Sequence, residues 1–249
     1  MRWLKRISIG LLATLLIALL GFLAWVTFGA QRAEDLAQAE LNRLPLYASM
    51  RFESDRNGYS ILPAKTATSG FIFYSGGLVE PEAYVAHLQP IAEAGYAVFA
   101  PKMPLNLAVF DISAADDIIA QHPEIEHWVI GGHSLGGAMA AQYTFDNDDK
   151  IDGLVLWASF PAESTDLSNH NIMAASIFGS NDGLASVEEI NSSAVRLPSD
   201  TIFIEIDGGN HAQFGDYGEQ SGDLPASIPL TEQISETVMG TLEIVSAFD

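Results

Sequence analysis

The chain has 249 residues, with 11 Lys and Arg against 32 Asp and Glu, a formal net charge of −21 and no cysteine. The acidic balance argues against nucleic acid as a partner, because phosphates repel carboxylates. The lack of cysteine excludes disulfides and thiolate metal sites. The length outside an N-terminal apolar segment is enough for one domain with a full hydrophobic core.

An uninterrupted apolar run opens the chain. It covers residues 7–28, about 22 positions, and follows three basic residues, Arg2, Lys5 and Arg6. A helix of that length can cross a bilayer, so we predict that residues 1–30 form a cytoplasmic tip and a single-pass membrane anchor. Basic residues before the run and acidic residues after it predict that the domain after the run lies outside the cytoplasm. A cleaved signal peptide, followed by secretion, is the alternative.

After the apolar run, the sequence predicts one folded domain at residues 48–249. Residues 31–47 are hydrophilic and are interpreted as a stalk or as a first helix packed on that domain. Two short β-type runs then flank Asn57 and Gly58, a dipeptide typical of a tight hairpin turn. This pattern predicts two antiparallel strands at one edge of a sheet.

Apolar strand patterns and helical patterns alternate over the rest of the chain. Strand patterns cover residues 71–74, 96–100, 127–130, 153–158, 175–178 and 201–206, and helical patterns cover 82–94, 112–121 and 231–247. The alternation predicts an α/β fold, with a doubly wound, mostly parallel sheet, helices on both faces and a site at the carboxyl ends of the strands. About fourteen residues separate the strand that ends near Ser159 from the strand near Ala174, too few for a cap domain.

The most informative motif lies at residues 132–136, which read Gly-His-Ser-Leu-Gly. It follows a strand pattern and precedes a segment rich in small, helix-favouring residues, which is the context of a nucleophile elbow. In such an elbow Ser134 stands on a sharp strand-to-helix turn with its hydroxyl clear of the backbone. The Leu135 N–H, at the start of the helix, is the predicted first oxyanion donor.

Two polar residues after later strand patterns complete a candidate triad. Asp182 follows the strand pattern at 175–178, and His211 follows the one at 201–206. The order Ser, Asp, His along the chain is that of hydrolases with this elbow. Of the six histidines, His211 alone follows the acid. Asp207 is an alternative acid because it is close to His211 in sequence, although a turn role at the strand end explains it better.

The second oxyanion donor is predicted in residues 75–78, Ser-Gly-Gly-Leu, which follow an earlier central strand pattern. Glycine permits the close backbone approach that a substrate carbonyl requires. Gly77 is therefore the first candidate, with Leu78 as the alternative. The same glycines also fit a simple tight turn with no chemical role. The chain has no His-Glu-x-x-His motif and no cysteine pair, so we expect neither a metal nor a cofactor.

The elbow, the Gly-x-x-Asp segment at 179–182 and the Gly-x-x-His segment at 208–211 resemble the α/β-hydrolase superfamily. The resemblance covers nearly all of the chain after the first thirty residues. It is closest to small bacterial esterases and dienelactone-hydrolase-like proteins, although dienelactone hydrolases proper use a cysteine nucleophile. Where the superfamily often has His-Gly, this chain has Ser75-Gly76, so support for the oxyanion loop is expected from Ser75 or Tyr74.

These observations predict a serine hydrolase that cleaves carboxylic esters through an acyl-enzyme. The expected substrate is a small-molecule ester with a short or compact acyl group, because no cap is expected. Thioesterase, lipase, amidase and peptidase activities use the same triad and remain alternatives. A membrane-tethered binding or scaffold protein that keeps the fold without catalysis is the alternative from another class. The pattern makes no prediction of oligomeric state.

Overall fold

A computed structural model of the protein describes the backbone of residues 2–248 and the side chains of residues 14–248. The first half of the predicted membrane anchor therefore lies outside the described side chains. Among the residues described, no helix is both long and apolar enough to span a membrane.

Eight strands form the centre of the fold. They are β1 (Met50–Asp55), β2 (Gly58–Pro63), β3 (Ser69–Tyr74), β4 (Ala97–Pro101), β5 (His127–His133), β6 (Gly153–Trp157), β7 (Met173–Gly179) and β8 (Ile202–Ile206). They make one sheet in the order β1-β2-β4-β3-β5-β6-β7-β8. Strand β2 is antiparallel to both of its neighbours, and every other adjacent pair is parallel. The predicted hairpin is confirmed, since β1 and β2 pair around Asn57-Gly58 at the edge of the sheet.

Seven α-helices are described. They are α1 (Arg2–Gly29), α2 (Asp35–Arg43), α3 (Val85–Glu93), α4 (Ala114–Gln121), α5 (Leu135–Asp146), α6 (Val187–Ser193) and α7 (Leu230–Val245). Of the two interpretations of residues 31–47, the structure shows the helix: α2 packs on α3. The segment from Ala158 to Ile172 contains no helix or strand, so no cap domain covers this edge of the sheet.

Helices cover both faces of the sheet, and β3 shows how the sequence specifies this. Its side chains alternate, so that Phe71 and Phe73 join the core under α3 and α7, whereas Ile72 and Tyr74 join the core under α4 and α5. All four side chains are fully buried. A continuous apolar run is expected for a strand that is covered on both faces. The predicted doubly wound sheet is confirmed.

The register of the strands determines which loops are neighbours at the carboxyl edge. Tyr74 at the end of β3 pairs with Gly132 of β5, so the loop after β3 emerges beside the elbow. Gly179 at the end of β7 pairs with Ile206 at the end of β8, so the loops that carry Asp182 and His211 also emerge together. Residues more than fifty positions apart in sequence therefore meet at one edge.

Candidate active site

Ser134 lies at a strained turn between β5 and α5. Its φ is 52° and its ψ is −123°, a left-handed φ that costs a non-glycine residue free energy. The turn is possible because β5 and α5 come very close to each other at Gly132 and Gly136. A Cβ atom on either glycine would overlap backbone atoms, and for both glycines one of those atoms is the Tyr74 carbonyl oxygen. The strain therefore occurs at the residue that the sequence predicts as the nucleophile.

Backbone contacts to β6 and to the segment after it hold this turn in place. The Ser134 N–H donates to the Trp157 carbonyl oxygen at 3.0 Å. The Ser159 hydroxyl donates to the Ser134 carbonyl oxygen at 2.7 Å. The Leu135 N–H is in the first turn of α5, where backbone N–H groups have no partner within the helix. That N–H remains available beside Ser134 for an anionic oxygen.

Asp182 and His211 form a buried pair across the two loops. The distance from His211 Nδ1 to Asp182 Oδ2 is 2.8 Å, and the two side chains are 2% and 0% exposed. The other carboxylate oxygen, Asp182 Oδ1, accepts the N–H groups of Leu184 at 2.8 Å and Ala185 at 2.6 Å. With these donors the carboxylate is fixed, and it holds the imidazole with Nε2 as the free nitrogen.

His211 Nε2 is buried and has no hydrogen-bond partner among the described residues. The ring of His133, the residue before Ser134, lies 4.5 Å from the His211 ring between centroids. The imidazole therefore lies next to the elbow, although the structure shows no hydrogen bond between it and the Ser134 hydroxyl. Such bonds are often absent without substrate.

The alternative acid, Asp207, does not contact the imidazole. Its carboxylate is 3.4 Å from the Ser180 hydroxyl, and the residue is exposed. It lies directly after β8, where the sequence interpretation placed a turn residue. Asp182 is thus the carboxylate that orients His211.

In the loop after β3, the Gly76 and Leu78 N–H groups have hydrogen-bond partners, whereas the described contacts give the Gly77 N–H none. The Gly76 N–H donates to the Tyr84 hydroxyl at 2.9 Å, and the Leu78 N–H donates to the Asn106 carbonyl oxygen at 2.7 Å. The second assignment removes Leu78 as the alternative oxyanion donor. Gly77 lies between them and lines the same cavity as Ser134 and Leu135.

Support for this loop comes from Tyr84, so the expectation that Ser75 or Tyr74 provides it is wrong. The Ser75 hydroxyl is buried without a partner among the described residues, and the Tyr74 hydroxyl donates to the Ile112 carbonyl oxygen, on the other face of the sheet. The Tyr84 hydroxyl instead accepts from Gly76 and lies 2.9 Å from His133 Nδ1. Tyr84 is 8 positions from Gly76 and 49 positions from His133 in sequence, and no local motif identifies it.

The Tyr84–His133 contact is a hydrogen bond between neutral groups. Burial raises the pKa of the Tyr84 hydroxyl far above its usual value. Burial, followed by the proximity of His211 and His87, holds the pKa of His133 well below its usual range. Since the Tyr84 oxygen accepts from Gly76, its own proton is free to be donated to His133 Nδ1. The elbow and the oxyanion loop are therefore joined through two side chains.

Asp223 is a residue that the sequence analysis missed. One of its carboxylate oxygens accepts the Gly183 N–H at 3.0 Å, and the other accepts the Ala212 N–H at 2.8 Å. Gly183 follows Asp182 and Ala212 follows His211. One carboxylate therefore connects the loop after β7, the acid loop, to the loop after β8, the histidine loop. Its position in a long polar segment, with no motif around it, gave no signal of this role.

A cavity of about 440 Å³ opens at Ser134. Gly77 and Leu135 line it on one side, and Gln220 and Ser221 of the loop that follows His211 line it on another. A second cavity of about 480 Å³, between the β1–β2 hairpin and α4, includes none of the three predicted triad residues. In the part of the chain that the structure describes, no cluster of His, Asp and Glu is arranged to hold a metal ion.

Comparison with known families determines what this architecture is. The sequence profile described as the alpha/beta hydrolase family matches residues 70–235, two thirds of the chain. The chain belongs to the alpha/beta hydrolase family. No protein with a curated description matches the sequence. The matched segment of this hydrolase includes the elbow, the acid loop and the histidine loop.

Solved structures of proteins from different organisms are similar to this hydrolase. Est1E from Butyrivibrio proteoclasticus, solved with ferulic acid bound, has a TM-score of 0.59 at 13% identity and covers 79% of this chain and 99% of its own. A predicted CIB-like hydrolase from Thermoplasma acidophilum has a TM-score of 0.57 at 16% identity, with 76% and 97% covered. The esterase domain of a Rhodothermus marinus protein has a TM-score of 0.56 at 12% identity, with 77% and 96% covered. At these identities the likeness shows the fold.

His87 lies behind the site, in α3. It is fully buried, and its Nε2 is 3.1 Å from the Gln213 carbonyl oxygen, two residues after His211. Burial lowers the pKa of His87 to about 4. The imidazole therefore stays neutral and donates to that carbonyl oxygen, which fixes the backbone next to His211.

We predict a pH-dependent loss of stability that originates at His87. Its folded-state pKa lies below the value of about 6.5 in the unfolded chain, so below pH 6.5 the unfolded state binds a proton that the folded state does not. The stability from His87 is complete above that pH and is lost toward about pH 4. Denaturant unfolding at pH 7 and pH 4 should show a larger fall for the wild type than for His87→Gln, by up to about 3 kcal/mol.

The matched control is His127→Gln, because the wild-type His127 imidazole is 40% exposed. That variant should lose stability with falling pH as the wild type does. An equal fall in the wild type and in His87→Gln would contradict the assignment.

Proposed function

We propose that this hydrolase cleaves carboxylic esters by acyl transfer to water, with Ser134 as nucleophile. His211 removes the Ser134 proton as the hydroxyl attacks the ester carbonyl, and Asp182 holds the imidazole and stabilises its protonated form. The N–H groups of Leu135 and Gly77 bind the oxyanion. Water then repeats the sequence and releases the acid.

The observation that carries the proposal is the buried Asp182–His211 pair beside a serine with a left-handed φ. The pair has a distance of 2.8 Å and almost no exposure, and Ser134 has a φ of 52°. Two of the solved structures that share the fold are esterases by their descriptions or names. Because no cap domain is present, compact esters fit the site better than large ones.

We propose also that α1 anchors the enzyme in a membrane, with the hydrolase domain outside the cytoplasm. Support comes from the uncharged run at residues 7–28 and its basic flank. In the described half of the run most large apolar side chains are exposed, from Leu15, 62% exposed, to Phe28, 89% exposed. Water is an unfavourable environment for so many apolar side chains on one helix.

The anchor predicts that the protein remains in the membrane pellet after alkaline carbonate extraction of a bacterial expression host. Protease added outside the inner membrane should digest the hydrolase domain. Recovery of a soluble chain that begins near residue 30 would instead establish a cleaved signal peptide.

Replacement of the nucleophile gives the direct test of the proposed activity. Ser134→Ala in the full chain should lower kcat for p-nitrophenyl esters by at least about a thousandfold, because no acyl-enzyme can form. The matched control is Ser164→Ala, which removes an exposed hydroxyl that does not line the cavity at Ser134 and should keep the wild-type kcat. Undiminished hydrolysis by Ser134→Ala would refute the mechanism, and an inactive wild type would favour a binding protein.

Asp223→Asn should lower kcat by about tenfold to a hundredfold and leave KM nearly unchanged. The Gly183 and Ala212 N–H groups bind different carboxylate oxygens. An amide replaces one of these oxygens with an NH2 donor, so one of the two contacts is lost, and small displacements of catalytic groups are costly. Steady-state kinetics on one ester measures the effect. Asp207→Asn removes the same charge from the neighbouring exposed carboxylate and should retain wild-type kcat. Equal values for both variants would contradict the role of Asp223.

A further inference from the structure

The C-terminal end of α1 lies over the cavity that opens at Ser134. Trp25 and Gly29 of this helix, with Gln31 just after it, line the same cavity as Ser134 and Leu135. The predicted anchor therefore does not merely precede the hydrolase domain. Its last turns form part of the wall around the predicted nucleophile.

Two kinds of contact fix the end of α1 against the oxyanion loop. The Gln31 N–H donates to the Leu78 carbonyl oxygen at 2.8 Å, and the Glu80 N–H donates to the Gln31 carbonyl oxygen at 3.0 Å. Gly29 lies so close to the loop that a Cβ atom there would be 2.9 Å from Leu78 Cδ1. Gln31, just after the helix, pairs with Val79 in an isolated parallel β-bridge, so the segment after α1 lies alongside the oxyanion loop.

An apolar cluster continues this contact into the cavity. Val26 of α1 is buried with Leu78 and Leu107, and Phe22 packs against them. The Phe22 ring also meets the Phe110 ring edge-on, with centroids 6.5 Å apart. Trp25 differs from these side chains because it lines the cavity and is 54% exposed. Its indole is available to pack against a bound apolar group.

The position of the cavity relative to the triad indicates which part of an ester occupies it. His211 must protonate the leaving alcohol, so that alcohol leaves on the side of the imidazole. The cavity is lined by Gly77, Leu78, Leu107 and Leu135, together with His133, Gln220 and Ser221, whereas neither His211 nor Asp182 lines it. Most of its lining therefore comes from the oxyanion-loop side of Ser134, where the acyl group remains after the alcohol has left.

We infer that the end of α1 is the acyl-chain wall of this enzyme and that Trp25 is a specificity-determining residue. The inference rests on the proposed function and deepens it, since it names esters with an unbranched acyl chain of several carbons as the preferred substrates. During acylation the Ser134 Oγ–carbonyl carbon bond forms, the ester C–O bond breaks and the Ser134 proton passes through His211 to the alcohol. The acyl chain then lies in the cavity that Trp25 and Leu107 line.

The test compares p-nitrophenyl acetate with p-nitrophenyl hexanoate on the full chain, in one detergent at one concentration. Trp25→Ala should lower kcat/KM for hexanoate by about tenfold, because that factor corresponds to the free energy of burying roughly two methylene groups. The acetate value should stay within about twofold, because an acetyl group does not reach the wall. Leu107→Ala should lower the same hexanoate-to-acetate ratio, because Leu107 also lines the cavity, and Trp25→Phe should restore most of it.

Leu16→Ala is the matched control, since Leu16 is an exposed side chain of the same helix, 56% exposed, and more than two helical turns from Trp25. This variant should keep the wild-type ratio. An unchanged ratio in both Trp25→Ala and Leu107→Ala would overturn the inference while hydrolysis itself continued. Loss of the proposed function would look different, as the wild type would hydrolyse neither ester or Ser134→Ala would hydrolyse both.

Discussion

The close crossing of β5 and α5 at Ser134 is the constraint on which the rest of the site depends. Gly132 and Gly136 leave no room for side chains, because the Tyr74 carbonyl oxygen at the end of β3 lies directly against them. The turn therefore adopts a φ of 52° at Ser134, and it places the first N–H of α5 beside the serine hydroxyl. The packing of the sheet and of both helical layers keeps Ser134 in a strained backbone conformation, which would relax in a flexible loop.

The same crossing joins the elbow to the oxyanion loop. Because β3 and β5 are adjacent, Gly77 and Leu135 face one cavity, and Tyr84 links Gly76 to His133 on the buried side. Burial keeps these two side chains neutral, so their hydrogen bond needs no compensating charge. On the other side of Ser134, the adjacent strands β7 and β8 bring the buried Asp182 and His211 side chains together. The order of the strands therefore already places the loops that carry the site residues next to one another.

Much of this could be predicted from the sequence, since the elbow, the acid and the histidine each follow an apolar strand within a few residues. Alternating strands and helices were enough to place the three at one edge of a parallel sheet. The contact of Tyr84 with His133, the contact of Asp223 with Gly183 and the place of Trp25 at the cavity could not be predicted, because each joins residues far apart in sequence and no local pattern marks it. The apolar run at residues 7–28 predicted a helix, but hydropathy does not show which surface the end of a helix packs on.

Covalent labelling tests the central claim, that Ser134 is a nucleophile activated by the Asp182–His211 pair. The full chain would be treated with a fluorophosphonate, digested and analysed by mass spectrometry. The account predicts one adduct, on the peptide that contains Ser134, and its loss in His211→Gln, because the hydroxyl then has no base. An adduct on another serine, or equal labelling of Ser134 in the wild type and in His211→Gln, would contradict it.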